Sequence, residues 1–471
     1  MSLYPPPAPR PSFAHTLQDL AQGEGCPFHD LLPQEHIQQI AAEEGVHFAS
    51  GADHVWTPAL TVWAFLGQCL SPAKSCVAAV ARALVLRVAL GLPPCSAATG
   101  AYCKARAKLP ERFLRRLALE VGRQVEGRAP DAWRFQGRRV LLADGTELSL
   151  PDTPANQKEY PQSGAQKPGL GFPQMRLVVL LAFATACLLG CATGPCKGKE
   201  TGETALFRSL LEEIGRGDVV VADRYYCSYW MIALLLRRGA DACFRLHQRR
   251  KYDFRRGRRL GRGDHVVTWS KPPRPEWMDE DTYASLPDTL TIREVRFVVS
   301  EPGCRSREVI VATTLTDARA YRKADIEGLY HQRWHVELDI RSVKQTLKMD
   351  ILSCKTPEMA RKEVWVHLLA YNLVRKLMAE AAWASHTTPR RLSFAGAVQT
   401  WNAFRWVLLF SEGQRRSDLV RAVLLAIGTH AVGDRPGRWE PRKVKRRPKG
   451  YARMTRPRAQ ERAELLQSQP A

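Results

Sequence analysis

Acidic residues are scarce in this 471-residue chain. Against 70 Lys and Arg stand 47 Asp and Glu, a formal net charge of +23 and a pI near 9.8. Such an excess points to a polyanionic partner, most often nucleic acid. A basic ribosome- or membrane-associated protein is the plainer alternative. Paired cysteines are also missing. The twelve cysteines are scattered with no C-x-x-C, which argues against a zinc ribbon or finger. The one local cluster, Cys187, Cys191 and Cys196, has no His at ligand spacing and reads as buried, reduced thiols. The proline-rich start, Met1 to Phe13, lacks an apolar signal core, and no internal repeat is visible. Nor is there a clean membrane span. Leu177–Cys196 carries no charge, but Gly190, Gly194 and Pro195 interrupt it, so it reads as two buried strands turning near Gly190. With 45% apolar and 25% charged residues, general disorder and a small disulfide-stapled fold are excluded. A soluble, cytoplasmic protein is expected.

What is present divides by character along the chain. The first 130 or so residues read as helices with basic faces. Thr61–Cys69 is apolar, Ser71-Pro72 breaks it, Ser75–Ala89 resumes it, and Leu109–Val125 exposes Arg112, Arg115 and Arg116. A buried strand follows, ending at Asp144-Gly145, with Glu147–Leu150 alternating as if to pair back. Met175–Cys191 supplies further strand and Glu203–Ile214 an amphipathic helix. Val219–Ala222 is a second apolar strand ending at Asp223, before a helix at Tyr229–Arg238 and a possible strand at Ala242–Leu246. Arg293–Ser300 and Glu308–Leu315 form a hairpin about Pro302-Gly303. Ala318–Met349 and Glu363–Ala382 are helical. Two stretches are strongly basic: nine Arg and Lys against Asp253 in Arg245–Arg262, and eleven against Glu440 in the tail Arg435–Arg458. Strands followed by helix, strand and helix give an α/β order.

Two apolar strands ending in aspartate are weak evidence alone. Asp-Gly is a common hairpin turn, and Asp223 could cap the helix after it. The helix through Leu329–Asp350 adds more. At 3.6 residues per turn, Tyr330, Arg333, Glu337, Arg341, Lys344 and Lys348 share an arc of about 80°. Val336, Ile340, Val343 and Leu347 form an adjoining apolar face. A carboxylate thus sits in a basic stripe beside the core edge. A salt-bridge ladder, Arg333–Glu337–Arg341, would explain the charges but neither Tyr330 nor the two aspartates.

Tyr330, Arg333, Glu337 and Lys344 match Y-x-x-R-x-x-x-E-x-x-x-x-x-x-K at every position, and Asp144 and Asp223 stand in order before them. With the loop Asp152–Phe172 and the segment Trp63–Ala81, the chain resembles the insertion-sequence-four family of bacterial DDE transposases over roughly residues 50 to 460. The resemblance implies an RNase H-like catalytic core, a mixed central sheet with flanking helices. Its catalytic and metal-holding residues would be Asp144, Asp223 and Glu337. It implies that Tyr330, Arg333 and Lys344 contact DNA, and Arg341 and Lys348 extend that stripe. It also implies a β-rich insertion, since the gap from Asp223 to Glu337 exceeds what a bare core needs. Family members that cut through a DNA hairpin stack a flipped base on an aromatic residue of the insertion. Trp269 and Trp277 are candidates here, and either could equally be core. His335 falls off the stripe and reads as structural.

The chemistry of the residues agrees. Carboxylates without His or Cys suit a hard ion, Mg²⁺ or Mn²⁺, and two such ions can activate a water or 3′-hydroxyl and stabilise a leaving oxygen. The expectation is cut-and-paste DNA transposition at terminal inverted repeats, on double-stranded DNA, by a homodimer in a nucleoid-associated bacterial protein. The alternatives are a metal-dependent nuclease without strand transfer and a transposase-derived DNA-binding protein. The domains expected are a helical DNA-binding unit at 1–135, core at 136–245, a β-rich insertion at 246–316, core with the Glu-bearing helix at 317–385, and a helical region with basic tail at 386–471.

Overall fold

The computed structural model describes residues 31–48, 54–71, 73–89, 92–298, 308–409, 411, 413–432 and 454–467. Helices come first: α1 (Gln34–Glu43), α2 (Pro58–Cys69), α3 (Cys76–Ala89), α4 (Gly100–Lys108) and α5 (Glu111–Gly127). Thr57 caps α2 by accepting from Leu60 N, with Pro58 at the first helical position. Then come β1 (Val140–Ser149), α6 (Pro154–Glu159), β2 (Gln174–Ala182), β3 (Leu188–Pro195), α7 (Glu203–Arg208), β4 (Val219–Ala222), α8 (Tyr229–Arg237) and β5 (Asp241–Arg245). The next stretch holds β6 (Arg258–Gly261), β7 (Asp264–Ser270), α9 (Glu280–Ser285), β8 (Thr289–Val298) and β9 (Glu308–Thr313). The chain then forms α10 (Lys323–His331), α11 (Trp334–Arg341), the long α12 (Pro357–Ala384), α13 (Phe394–Leu409), α14 (Gly413–Thr429) and α15 (Arg458–Gln467).

The strands make one sheet in the order β3-β2-β1-β4-β5-β9-β8-β7-β6. β1, β2 and β3 are antiparallel neighbours, and β1, β4 and β5 are parallel ones. This five-strand mixed sheet is the RNase H-like arrangement. The run β9-β8-β7-β6 continues it antiparallel from β5, so the 246–316 segment extends the same sheet.

Both faces of the central strands are covered, which is why they read as continuous apolar runs rather than alternating ones. Leu142, Val179, Leu181, Val219 and Val221 face α12 and the N-terminal helices. Leu141, Val178, Leu180, Val220 and Ala222 face Phe207, Ile232 and Leu235. α12 runs through the larger core and packs against α5. Its buried Asn372 donates to Ala118 O (2.7 Å) and Leu188 O (3.0 Å) and accepts from Leu188 N (2.8 Å), tying α12 to α5 and β3.

Four local expectations need correction. Asp144-Gly145 is not a hairpin turn: β1 passes straight through it and pairs with β2 from Leu141↔Ala182 to Ser149↔Gln174. The turn between β2 and β3 lies at 183–187, where Ala186 takes positive φ (59°), and Gly190 sits inside β3 opposite Leu180. The helix from Glu203 stops at Arg208 and continues as a short 3₁₀ turn at Leu211–Glu213. The helix expected over 318–349 begins at Lys323 and breaks at Gln332 and Arg333, whose amides bond three residues back. It ends in a π turn at Ser342–Thr346. The Pro302-Gly303 turn and residues 435–453 of the basic tail lie outside the described residues. No described helix is long and apolar enough to cross a membrane.

Candidate active site

β1 and β4 run parallel only from Val140↔Val219 to Leu142↔Val221. Beyond that register β1 stays paired to β2 while β4 ends, which opens a notch in the sheet. Asp144 and Asp223 are the next outward positions, each two residues past the last parallel pair. This is where an α/β sheet offers side chains to a ligand. Neither plainer role survives. Asp144 makes no turn, and α8 is capped by Ser228, which accepts from Met231 N at 3.2 Å. Asp223 instead accepts from Tyr225 N at 2.8 Å.

The third acid arrives from α11, which packs on β1. Glu337 accepts from Arg333 Nη2 at 2.7 Å. Arg333 is in turn the cation whose field acts on Asp144. One guanidinium therefore bonds the helix acid and lends its charge to a strand acid. The Asp144 carboxyl is pushed up from 3.8 to about 6. Burial is the main cause, and the neighbouring charges of Asp223 and Glu203 add to it. The Gly145 amide, which donates at 2.9 Å, and Arg333 act the other way.

Glu203, a fourth carboxylate, was not foreseen as part of this cluster. It sits at the start of α7, half-buried, and burial and the Asp223 charge raise its pKa. Its carboxyl group lies directly over Gly145: a Cβ there would fall 2.4 Å from Glu203 Cδ. Gly145 is thus needed for a close approach, not for a turn. Only tertiary packing reveals this, because Glu203 belongs to no local motif with the strand-end aspartates.

The stripe divides. Lys344 lies in the π turn and reaches β1, donating to Thr146 Oγ1 (3.0 Å) and Glu147 O (2.8 Å). Arg341 is exposed and bonds Gln345 (2.9 Å), so among the described residues the expected ladder forms at its Arg333–Glu337 half. Tyr330 is buried, 8% exposed, against Phe297. Lys348 leaves the helix altogether: its φ is +56°, and its carbonyl accepts from Lys74 Nζ. The apolar face holds, with Val336, Val343 and Leu347 buried and Ile340 packed beside them. His335 packs on Phe183, and burial holds its imidazole down to about 4, in line with a structural role.

The two tryptophans differ. Trp269 is 3% exposed, donates to Glu294 Oε1 (3.1 Å) and carries Arg250 over its ring at 3.6 Å. That is a core position. Trp277 is half-buried under Arg208, 3.8 Å from its ring. It lines a cavity of about 710 Å³ with Tyr225, Arg249, Arg250 and Lys251, just past Asp223.

A parallel strand pair with acids at its notch, in an RNase H-like sheet, defines a class of nucleic-acid-cleaving enzymes. The chain matches the transposase DDE domain family over residues 135–373, about half its length, and belongs to that family. It is 28% identical over 362 residues to the transposase InsG for insertion sequence element IS4 of Escherichia coli (strain K12), covering 75% of this chain and 78% of that one. It is 26% identical over 147 residues to the putative transposase InsZ of the same organism, covering 27% of this chain and 48% of that one. Among solved structures, a piggyBac transposase synaptic complex with hairpin DNA aligns over 84% of each chain, at 10% identity and a TM-score of 0.41. Enzymes of the DDE transposase family use divalent metal ions, and this chain is an insertion-sequence transposase by family.

Proposed function

We propose that Asp144, Asp223 and Glu337 form the catalytic and metal-holding set of a cut-and-paste transposase. The reading rests chiefly on the β1/β4 notch, where Asp144 and Asp223 stand level and Arg333 links Asp144 to Glu337. The donor set fits Mg²⁺, with Mn²⁺ as substitute: it offers oxygen only, and its crowded acids leave Asp144 wanting a cation. Two bound ions would supply activation of a water or 3′-hydroxyl and stabilisation of the leaving oxygen. Arg333 steadies Glu337 and places positive charge where a phosphate enters. Lys344 holds the π turn against β1 and, with Arg341, lines the path of the DNA backbone, a path from which Lys348 has turned away. Tyr330 buttresses Arg333 from the core side. Trp277, at the cavity it shares with Tyr225, is the better placed of the two tryptophans for an unstacked base.

In this reading helices within 1–135 bind double-stranded terminal inverted repeats and 136–245 with 317–385 carry the chemistry. The segment 246–316 is the β-rich insertion, and 386–471 adds helices and basic charge. Two copies assemble on paired ends, each 3′-hydroxyl being joined to target DNA. The test is duplex DNA from the element's own flanks, incubated with the full chain in Mg²⁺ beside a supercoiled target plasmid. Cleaved ends joined to the plasmid are expected. Cleavage without joining would overturn strand transfer, and intact DNA in both Mg²⁺ and Mn²⁺ would overturn catalysis.

A further inference from the structure

Away from the acid notch, three ligand-type side chains meet in the core at the junction of α2, α12 and the loop that follows the π turn. Cys69 ends α2, and Glu363 and His367 lie one turn apart on α12. Their exposures are 2%, 2% and 0%. One sulfur, one carboxylate oxygen and one imidazole nitrogen all lie within 4.8 Å of one another. Cys354 is also buried and donates its backbone N–H to Glu363 at 2.8 Å.

This cluster is short of hydrogen bonds, and the cations whose charges reach Cys69, Lys74 and Arg106, bond to groups outside it. Among the described residues, neither ring nitrogen of His367 has a hydrogen-bond partner. Among the described residues, the buried Glu363 carboxylate has its ion-pair contact with His367 itself, at 4.0 Å. Glu363 accepts from the amides of Ser353 (2.9 and 3.0 Å) and Cys354, which anchors the loop but does not neutralise the carboxylate. Buried polar groups left unmatched in this way call for an explanation. A nucleophilic Cys–His pair is a poor one: the thiol is pushed well above its ordinary range by burial and the Glu363 charge, and it is almost wholly covered.

We propose that Cys69, Glu363 and His367 bind a structural Zn²⁺. Thiolate, neutral imidazole and carboxylate are the ligand types of tetrahedral zinc, and the mixture is too soft for Mg²⁺. The fourth position falls to Cys354 or to water. On binding, the Cys69 thiol loses its proton to solvent and a sulfur–metal bond forms, so the site gains a net positive charge beside Glu363. Zinc here fastens the N-terminal helices to the catalytic half. The neighbouring Lys74 already clasps the carbonyls of Lys348 and Ile351, next in the chain after the π turn. The site is separate from the acid notch, so it stands or falls independently of the catalytic reading.

The test uses the full-length chain carrying Asp144→Asn and Glu337→Gln, which removes the notch as a competing site. Metal content is measured after gel filtration, and the protein is also produced with Co²⁺ in place of zinc. One equivalent of zinc is expected, together with the thiolate-to-cobalt charge-transfer band and the d–d bands of tetrahedral Co²⁺. Cys69→Ser combined with Cys354→Ser should abolish the charge-transfer band, and His367→Gln should cut the stoichiometry to near none. A chain with no tightly held metal and no thiolate band would overturn the proposal without reference to any variant. Unchanged zinc in both folded variants would also overturn it.

Discussion

Asp144→Asn should kill cleavage and yet stabilise the metal-free protein. The Asp144 carboxyl titrates near 6 in the folded chain against an ordinary 3.8. The folded state therefore holds its proton more tightly than the unfolded state. Stability from this group is greatest below pH 3.8, falls as pH rises to about 6, and stays low above that. At about 1.36 kcal/mol per pKa unit, the shift costs the folded protein roughly 3 kcal/mol at pH 7 to 8. Partial exposure trims this to about 2 kcal/mol. Asn is isosteric, still accepts from the Gly145 amide and carries no charge, so it removes that cost. With about 2.1 cal/mol/K of unfolding entropy per residue, a chain this long loses about 1 kcal/mol per degree. The expected gain is thus about 2 to 3 °C in Tm at pH 7.5 in EDTA, shrinking towards nothing near pH 4. Added Mg²⁺ should raise the Tm of the parent and leave Asp144→Asn unmoved. A variant that melts at or below the parent across this pH range, in EDTA, would refute the claim that Asp144 is a desolvated, charge-crowded acid.

The remaining predictions are brief. Glu337→Gln should abolish nicking while DNA affinity holds or rises, and a melting curve should move by no more than about 0.5 kcal/mol, because the Arg333 pair it breaks is partly exposed. Lys344→Ala should do the opposite in part, weakening DNA binding in a gel shift and loosening the π turn from β1 by about 1 kcal/mol as two hydrogen bonds are lost. DNA affinity should fall steeply with salt, each neutralised phosphate contributing a slope of roughly −0.9 in log K against log salt; a flat titration would mean the basic excess serves something else. Asp339→Ala should cost about 3 to 5 kcal/mol by denaturant melting, since it strands Arg375 (2.6 Å) and Arg390 (3.0 Å), both buried on one carboxylate.

Much of this was legible in the sequence because it is local. Unbroken apolar runs at 140–143 and 219–222 required strands buried on both faces, and the spacing of Val336, Val343 and Leu347 required a helix with one face in the core. The family resemblance rested on four residues within fifteen positions and placed the acids in order. The rest depends on contacts between distant segments. Whether Asp144-Gly145 turned or ran straight was decided by β2, which pairs along the whole of β1. The continuity of β5 with β9 was decided by a chain reversal that composition does not encode. Lys348 lay on the stripe by helical arithmetic but left it, because the π turn lets Val343 and Leu347 reach the core at the expense of the regular spacing. Glu203 over Gly145, and Cys69 beside Glu363 and His367, are pairings across 58 and nearly 300 positions that no periodicity can register. Sequence sets which faces are apolar and which elements form. Only the closed packing of those faces determines which polar side chains are trapped together, and the chemistry follows from that trapping.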